Sequence, residues 1–132
     1  MDRHTRDIIY TIALGVRQWT ENEAEEWNQD LCGWCAIASA KLHTELIKAG
    51  FDSEIHMSEN RGGCHVFIVY DDHVIDVTAT QFNFEEQVLI LHKKEAEGRS
   101  EWFETAKTYR NVKHLRKEQV KDGWPTEQIA YI

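Results

Sequence analysis

The hydrophobic pattern of this chain changes its period at Gly50, and that change limits the folds it can adopt. From Gly33 to Ala49, apolar residues follow helical spacing and cover more than one stripe of the helix surface. They predict a largely buried central helix, which Gly50 ends. The runs that follow are short, rich in valine and isoleucine and bounded by turn formers, so they predict strands. A helix followed by an antiparallel sheet is typical of the α+β class.

The other elements are predicted from the same two periods. Apolar residues at helical spacing predict a helix over residues 3–19, and a very acidic connector, "ENEAEEW", follows it. Asp71 and Asp72 are turn formers between two apolar runs and predict a β-hairpin. The last fifty or so residues predict helical segments anchored by aromatic side chains. The predicted strands are residues 51–58, 64–70, 73–79 and 86–93.

The bulk composition indicates one globular domain, residues 1–132, and argues against some partners. A chain of 132 residues with 42% apolar residues is long enough to bury a core. The formal net charge of −8 argues against a nucleic-acid-binding protein, because neutralising phosphates needs a clustered basic surface. The one basic concentration, "NVKHLRKEQVK", is interrupted by glutamate and glutamine and fits a solvated helix face.

The sequence predicts a cytoplasmic protein without a membrane span. The apolar run "IIYTIALGV" has the length of a signal-peptide core, but aspartates dilute its positive flank and no small-residue cleavage site follows. No run reaches the length of a membrane span. The three cysteines are an odd number for a disulfide framework and fit a reducing compartment.

Two of the cysteines lie in "NQDLCGWCAIAS", residues 28–39, where their C-x-x-C spacing fits three chemistries. A zinc site would combine Cys32 and Cys35 with Cys64 and His65. Adjacent strand residues point to opposite faces, so the last two reach one ion only if the strand is broken. A redox dithiol would follow a hydrophobic strand, whereas the residues before this motif are acidic. Both interpretations are therefore disfavoured.

The third chemistry is a cysteine nucleophile with a histidine base and a carboxylate that orients the base. Cys35 lies at the start of the buried helix, where the helix dipole favours a thiolate. His65 opens one strand of the predicted hairpin, and Asp76 lies on the other. With a two-residue turn, His65 and Asp76 are diagonal neighbours on one face, and a one-residue shift of register places them opposite. Either arrangement lets the carboxylate hold the imidazole.

Further residues near the motif fit the same chemistry. The amide of Gln29 could donate to the oxygen that becomes negative in a tetrahedral intermediate, together with the backbone N–H of Cys35 at the helix N-terminus. Trp34 and Gln81 could line a substrate pocket. The alternative role for Cys35 is that of a buried structural thiol, and His56 on the first strand is the best rival base.

The segment "QDLCGWCAIAS" resembles the active-site segment of papain-like cysteine peptidases, with Gln29 and Cys35 at that family's separation and Ser39 closing the match. The segment "CHVFIVYDDHVIDVTATQF" is similar to the transglutaminase-like branch of the same superfamily. The resemblance covers about residues 28–82 and implies a papain/transglutaminase-like α+β fold. It implies four roles: Gln29 as oxyanion stabiliser, Cys35 as nucleophile, His65 as base and Asp76 as orienter.

The same resemblance implies a hydrolase or acyl transferase that acts on an amide bond of a protein or peptide, without cofactor or metal. Peptidase, glutamine deamidase and transglutaminase share this chemistry and stay open. Asp76 stands where papain-like peptidases usually have asparagine, and only about thirty residues separate Cys35 from His65. The segment that builds extended peptide subsites is thus missing, which favours a deamidase or a narrow peptidase. A non-catalytic binding module on the same fold is the alternative, and the oligomeric state stays open.

Overall fold

A computed structural model describes residues 1–26, 33–125 and 129–132, and its secondary structure is α+β, as the sequence predicts. The helices are α1 (Arg3–Glu26), α2 (Cys35–Lys48), α3 (Lys93–Arg99) and α4 (Val112–Lys121). The strands are β1 (Glu54–Asn60), β2 (Gly63–Tyr70), β3 (His73–Asp76), β4 (Leu89–His92) and β5 (Lys107–Tyr109). The described ranges also contain 3-10 turns at Ala79–Phe82 and Glu101–Phe103.

In the described part of the chain, five strands form one antiparallel sheet in the order β4-β3-β2-β1-β5. β2 is central and joins both neighbours through two-residue turns. Arg61 and Gly62 in the first turn, and Asp71 and Asp72 in the second, all have positive φ. Turns of this kind match the twist of the strands they connect. The hairpin predicted at Asp71 and Asp72 is confirmed.

The central strand β2 reads as a continuous apolar run because both faces of the sheet are covered. Val66 and Ile68 belong to the main core, which α1, α2 and α4 complete. Phe67 and Val69 point the other way and form a second cluster with Phe103 and with residues of β3, β4 and α3. The alternation of strand side chains therefore places neighbouring residues of β2 in two different cores.

Helix α2 is buried over most of its surface, as its pattern predicts. Nine of its fourteen residues are buried, and it packs against both α1 and β2. The helix ends at Lys48, and Gly50 has φ 90°, a left-handed conformation that glycine adopts without strain. Because α2 packs on β2, its first residue, Cys35, lies against the sheet.

Several boundaries differ from the predicted ones. Helix α1 extends to Glu26, because residues 21–26 contain four glutamates and an alanine, which are strong helix formers. The third predicted strand ends at Asp76 instead of Ala79, where the chain enters a 3-10 turn. The C-terminal region contains a strand, β5, where only helical segments were predicted. Three residues are too few to produce a periodic signal.

The longest helix of the described ranges, α1, has 24 residues, and charged side chains bound its apolar stretch, residues 8–16, on both sides. No helix of the described residues combines the length and the hydropathy needed to cross a bilayer.

Candidate active site

A buried histidine–aspartate pair lies where β2 and β3 run side by side. His65 is 0% exposed and Asp76 is 2% exposed, and His65 Nε2 lies 2.6 Å from Asp76 Oδ2. The register explains the contact: Ile68 pairs with Ile75, so position 67 falls opposite position 76 and His65 lies diagonally beside Asp76. The predicted neighbour relation between the two side chains is confirmed.

The carboxylate of Asp76 accepts hydrogen bonds at both oxygens. Oδ1 accepts from the backbone N–H of Thr78 at 2.9 Å and from the Thr78 hydroxyl at 3.2 Å, while Oδ2 faces His65. A buried carboxylate held at both oxygens has one orientation toward its histidine. Thr78 is not among the predicted site residues, although aspartate followed two residues later by threonine is a signal for this turn.

Helix α1 anchors the turn that follows Asp76. Nη1 of Arg17 donates to the carbonyl oxygen of Val77 at 3.0 Å and to Oγ1 of Thr80 at 3.1 Å, and its Nε donates to Glu21 at 2.5 Å. The Arg17 side chain is only 9% exposed, and these acceptors compensate the burial of its guanidinium charge. One guanidinium therefore holds both ends of residues 77–80. A buried arginine has the same helical spacing as a solvated one, so the sequence pattern gives no sign of this role.

Cys35 is the first residue of α2 and lies beside the ring of His65. Gly33 has φ 84°, a conformation that favours glycine, and turns the chain into the helix. Cys35 is 4% exposed, and it lies near enough to His65 to raise the pKa of the ring. As a first-turn group, the Cys35 N–H has no carbonyl partner within the helix. The structure thus brings Cys35, His65 and Asp76 together.

The pKa of His65 is raised from its ordinary 6.5 to about 10. Burial acts in the opposite direction and lowers this pKa, but the carboxylate of Asp76 and, after it, Cys35 outweigh that cost. The second ring nitrogen, Nδ1, is buried and has no hydrogen-bond partner within the described residues. An imidazole held at Nε2 and open at Nδ1 can exchange a proton with a group placed beside it.

Three phenylalanine rings enclose the His65 ring. The Phe82 ring meets it edge-on with centroids 4.7 Å apart, Phe103 does so at 5.7 Å, and Phe67 stacks on it at 5.8 Å. Phe82 itself stacks on Trp102 at 5.2 Å. These rings exclude water from the His65–Asp76 pair, which strengthens the attraction between the two charges.

Comparison of the chain with protein-family models, with curated proteins and with solved structures gives no match. The interpretation of the site therefore depends on its own geometry and chemistry.

The remaining predicted site residues are Gln29, Trp34 and Gln81. Gln29, the predicted oxyanion donor, and Cys32 lie outside the described residues. Trp34 is buried and packs against Tyr131 at 5.5 Å, so it belongs to the core beside Cys35 and not to an exposed wall. Gln81 is half-buried in the turn after β3, and its side-chain nitrogen has no hydrogen-bond partner in the described part of the chain.

The rival histidine makes different contacts. His56 Nδ1 lies 2.8 Å from the hydroxyl oxygen of Thr105, and its Nε2 lies 3.3 Å from Glu54. Burial lowers the pKa of His56, although Glu54 acts against this. A hydroxyl and a carboxylate, and no thiol, are thus the hydrogen-bond partners of this ring among the described residues.

The cysteine next to His65 lies in a different environment. Cys64 packs against the main core cluster, whereas the His65 ring lies among phenylalanines, as the alternation of strand residues predicts. Burial, and after it the charge of Cys35, raise the pKa of the Cys64 thiol to about 11. The described residues contain no group of three or more histidine, cysteine, aspartate or glutamate side chains arranged to hold a metal ion.

Ser39 connects the helix that carries Cys35 to the strand that carries His65. Its hydroxyl donates to the carbonyl oxygen of Val66 at 2.9 Å, in a buried position one helical turn after Cys35. Ser39→Ala is expected to lower the free energy of unfolding by about 1–3 kcal/mol, because a buried carbonyl loses its donor. Urea denaturation measures this change.

The control for Ser39→Ala is Thr44→Ala, which removes a hydroxyl bonded to the Ala40 carbonyl within the same helix. That hydroxyl is only partly buried and joins no second element, so its loss should cost less than that of Ser39. Equal losses in the two variants would contradict a connecting role for Ser39.

Proposed function

We propose that the protein is a cysteine hydrolase or acyl transferase that acts on amide bonds through Cys35, His65 and Asp76. The observation that carries the proposal is a buried His65–Asp76 pair whose imidazole has an unsatisfied Nδ1 and a thiol beside it. A buried polar atom without a partner is uncommon in a purely structural pair and calls for a functional explanation. The order of elements supports a papain/transglutaminase-like core: a buried helix that begins at the cysteine precedes the strands that carry the histidine and the carboxylate.

The first half-reaction forms a thioester. Cys35 gives its proton to His65 and attacks the carbonyl carbon, so that a C–S bond forms and the carbonyl oxygen becomes an oxyanion. First-turn N–H groups of α2 donate to that oxygen, and Gln29 would supply a side-chain donor. Collapse of the intermediate breaks the C–N bond, and His65 gives the proton to the leaving amine or ammonia.

The second half-reaction frees the enzyme. Water or a second amine attacks the thioester carbonyl while His65 removes its proton, and the C–S bond then breaks to release the Cys35 thiolate. Asp76 acts as a positioning residue, because it holds Nε2 and stabilises the imidazolium. Peptidase, deamidase and transglutaminase differ only in the amine that leaves and the group that attacks, so the substrate is a protein or peptide in each case.

The experiment compares a defined protein mixture treated with the wild type and with Cys35→Ala, analysed by mass spectrometry. We expect changes that depend on Cys35: new chain termini for proteolysis, glutamine converted to glutamate for deamidation, or cross-links for transamidation. Cys64→Ala is the matched control, since it removes the other free cysteine of the described residues and should keep the activity. Identical products from wild type and Cys35→Ala would overturn the proposal.

A second candidate is a non-catalytic binding module on the same fold. The observation in its favour is that Cys35, His65 and Asp76 are all buried, as core residues are. Such a module needs no reactive thiol. Alkylation of Cys35 no faster than that of an unstructured cysteine would favour the module over the enzyme.

A further inference from the structure

An open groove borders the phenylalanine rings around His65. Its lining residues are Phe82, Asn83, Phe84, Glu85, Glu86 and Arg99, and we name it the Phe82 groove. Phe82 is a wall shared with the candidate active site, because its ring packs edge-on against the His65 ring with the centroids 4.7 Å apart. Phe84 is half-buried and packs edge-on against Phe103 at 5.6 Å. The groove therefore lies next to the candidate active site on the side of the histidine, with the Phe82 ring between them.

The Phe82 groove carries an excess of negative charge. Glu85 and Glu86 are exposed, and the ion pairs of the described residues include neither carboxylate. The guanidinium of Arg99 lies 3.5 Å from the carboxylate of Glu95, so its charge is already compensated. Two carboxylates beside two phenylalanine rings suit a cation carried on an apolar stem, which in a polypeptide is lysine or arginine.

The side on which the groove lies indicates which part of a substrate it receives. In the proposed reaction His65 gives its proton to the departing nitrogen, so the leaving group lies next to the histidine. Ammonia released from a glutamine side chain carries no side chain that a groove could bind. The new N-terminal segment released by peptide cleavage does, and its first side chains would lie along Phe82.

We propose that the Phe82 groove binds a lysine or arginine side chain of a polypeptide substrate, on the leaving-group side of the amide bond that Cys35 attacks. The apolar stem packs on Phe82 and Phe84, and the charged end pairs with Glu85 and Glu86. This inference rests on the proposed function and selects peptide cleavage among its three outcomes. The preference for basic side chains then comes from charge complementarity in the Phe82 groove, whose residues take no part in the bond-breaking steps.

The test uses peptides made by cutting a whole proteome after glutamate, which leaves internal lysine and arginine intact. Mass spectrometry identifies the new N-termini that the protein creates. We expect basic residues in the first positions after the cleaved bond to be enriched about fivefold, which is the effect of one partly exposed charge pairing. The double variant Glu85→Gln/Glu86→Gln should lose this enrichment and keep the wild-type rate of Cys35 alkylation.

The matched control is Asp7→Asn/Asp52→Asn, which removes the same charge at two exposed residues that do not line the groove and should keep the enrichment. Three outcomes would overturn the inference while leaving the cysteine chemistry intact: new termini without basic enrichment, enrichment that persists in Glu85→Gln/Glu86→Gln, or glutamine deamidation without new termini. If wild type and Cys35→Ala give the same peptides, the proposed function itself fails.

Discussion

Replacing His65 with alanine is expected to slow the alkylation of Cys35 at pH 6 by about 100-fold or more. An ordinary thiol titrates near pH 8.5, so only about 0.3% of it is thiolate at pH 6. A thiol that gives its proton to a neighbouring imidazole reacts as a thiolate well below that pH. Because the pKa of His65 is raised to about 10, the ring can hold that proton throughout the neutral range. Iodoacetamide labelling between pH 5 and 9, mapped to each cysteine by mass spectrometry, measures the rates.

Cys64 provides an internal reference in the same labelling experiment. Cys64 has a pKa of about 11, raised by burial and then by the charge of Cys35, so it should react slowly in wild type and variant alike. His65→Gln retains most of the side-chain volume and separates loss of the base from the effect of a cavity. Circular dichroism and Tm show whether each variant is folded. Equal rates of Cys35 labelling in folded wild type, His65→Ala and His65→Gln would contradict the thiol–imidazole pairing, and with it the proposed function.

Replacing Asp76 with asparagine is expected to lower the free energy of unfolding at pH 6 by about 3 kcal/mol. The change removes the counter-charge of the buried His65, so the ring loses the interaction that stabilises its charged form, and removing one partner of a buried pair costs far more than removing one on the surface. Glu101→Gln is the control, since Glu101 pairs with Arg61 at 3.1 Å and the Arg61 side chain is 80% exposed. That variant should lose less than about 1 kcal/mol in the same urea denaturation.

The pH dependence separates the pair from ordinary packing. Folding raises the pKa of His65, so the stability it contributes is fully present below pH 6.5 and is lost as the pH rises through about 10. The wild type should therefore lose stability between pH 6.5 and 10. In Asp76→Asn the burial remains and lowers the pKa of His65, so this loss disappears. Denaturation at pH 6 and pH 9 makes the comparison, and parallel pH profiles for wild type and Asp76→Asn would contradict the assignment.

The His65–Asp76 contact could be predicted from the sequence because it is local. A two-residue turn sets the register of a hairpin, and eleven residues of chain are then enough to place the two side chains. The position of Cys35 at the first turn of a buried helix could be predicted for a similar reason, since Gly33 and the helical period both lie within that segment. The chemistry proposed for the three residues stays a prediction.

The groups that hold these residues in place could not be predicted, because they come from distant parts of the chain. Arg17 is sixty residues from Val77, and Ser39 is twenty-seven residues from Val66. Nothing in the local pattern distinguishes a buried arginine from an exposed one, or a serine that joins two elements from one that faces water. Phe103 reaches His65 through a turn for which the sequence carries no period.

The sequence by itself determined the α+β class, the buried central helix and the hairpin that joins His65 to Asp76, because helical and strand periods and turn residues act over a few neighbouring positions. Only the tertiary structure decided that α1 anchors the turn after Asp76, that phenylalanines enclose the histidine and that one of these phenylalanines also lines an acidic groove. These features depend on which faces of helices and strands meet when the core packs. That choice is made by the burial of the whole chain at once, and no single segment specifies it.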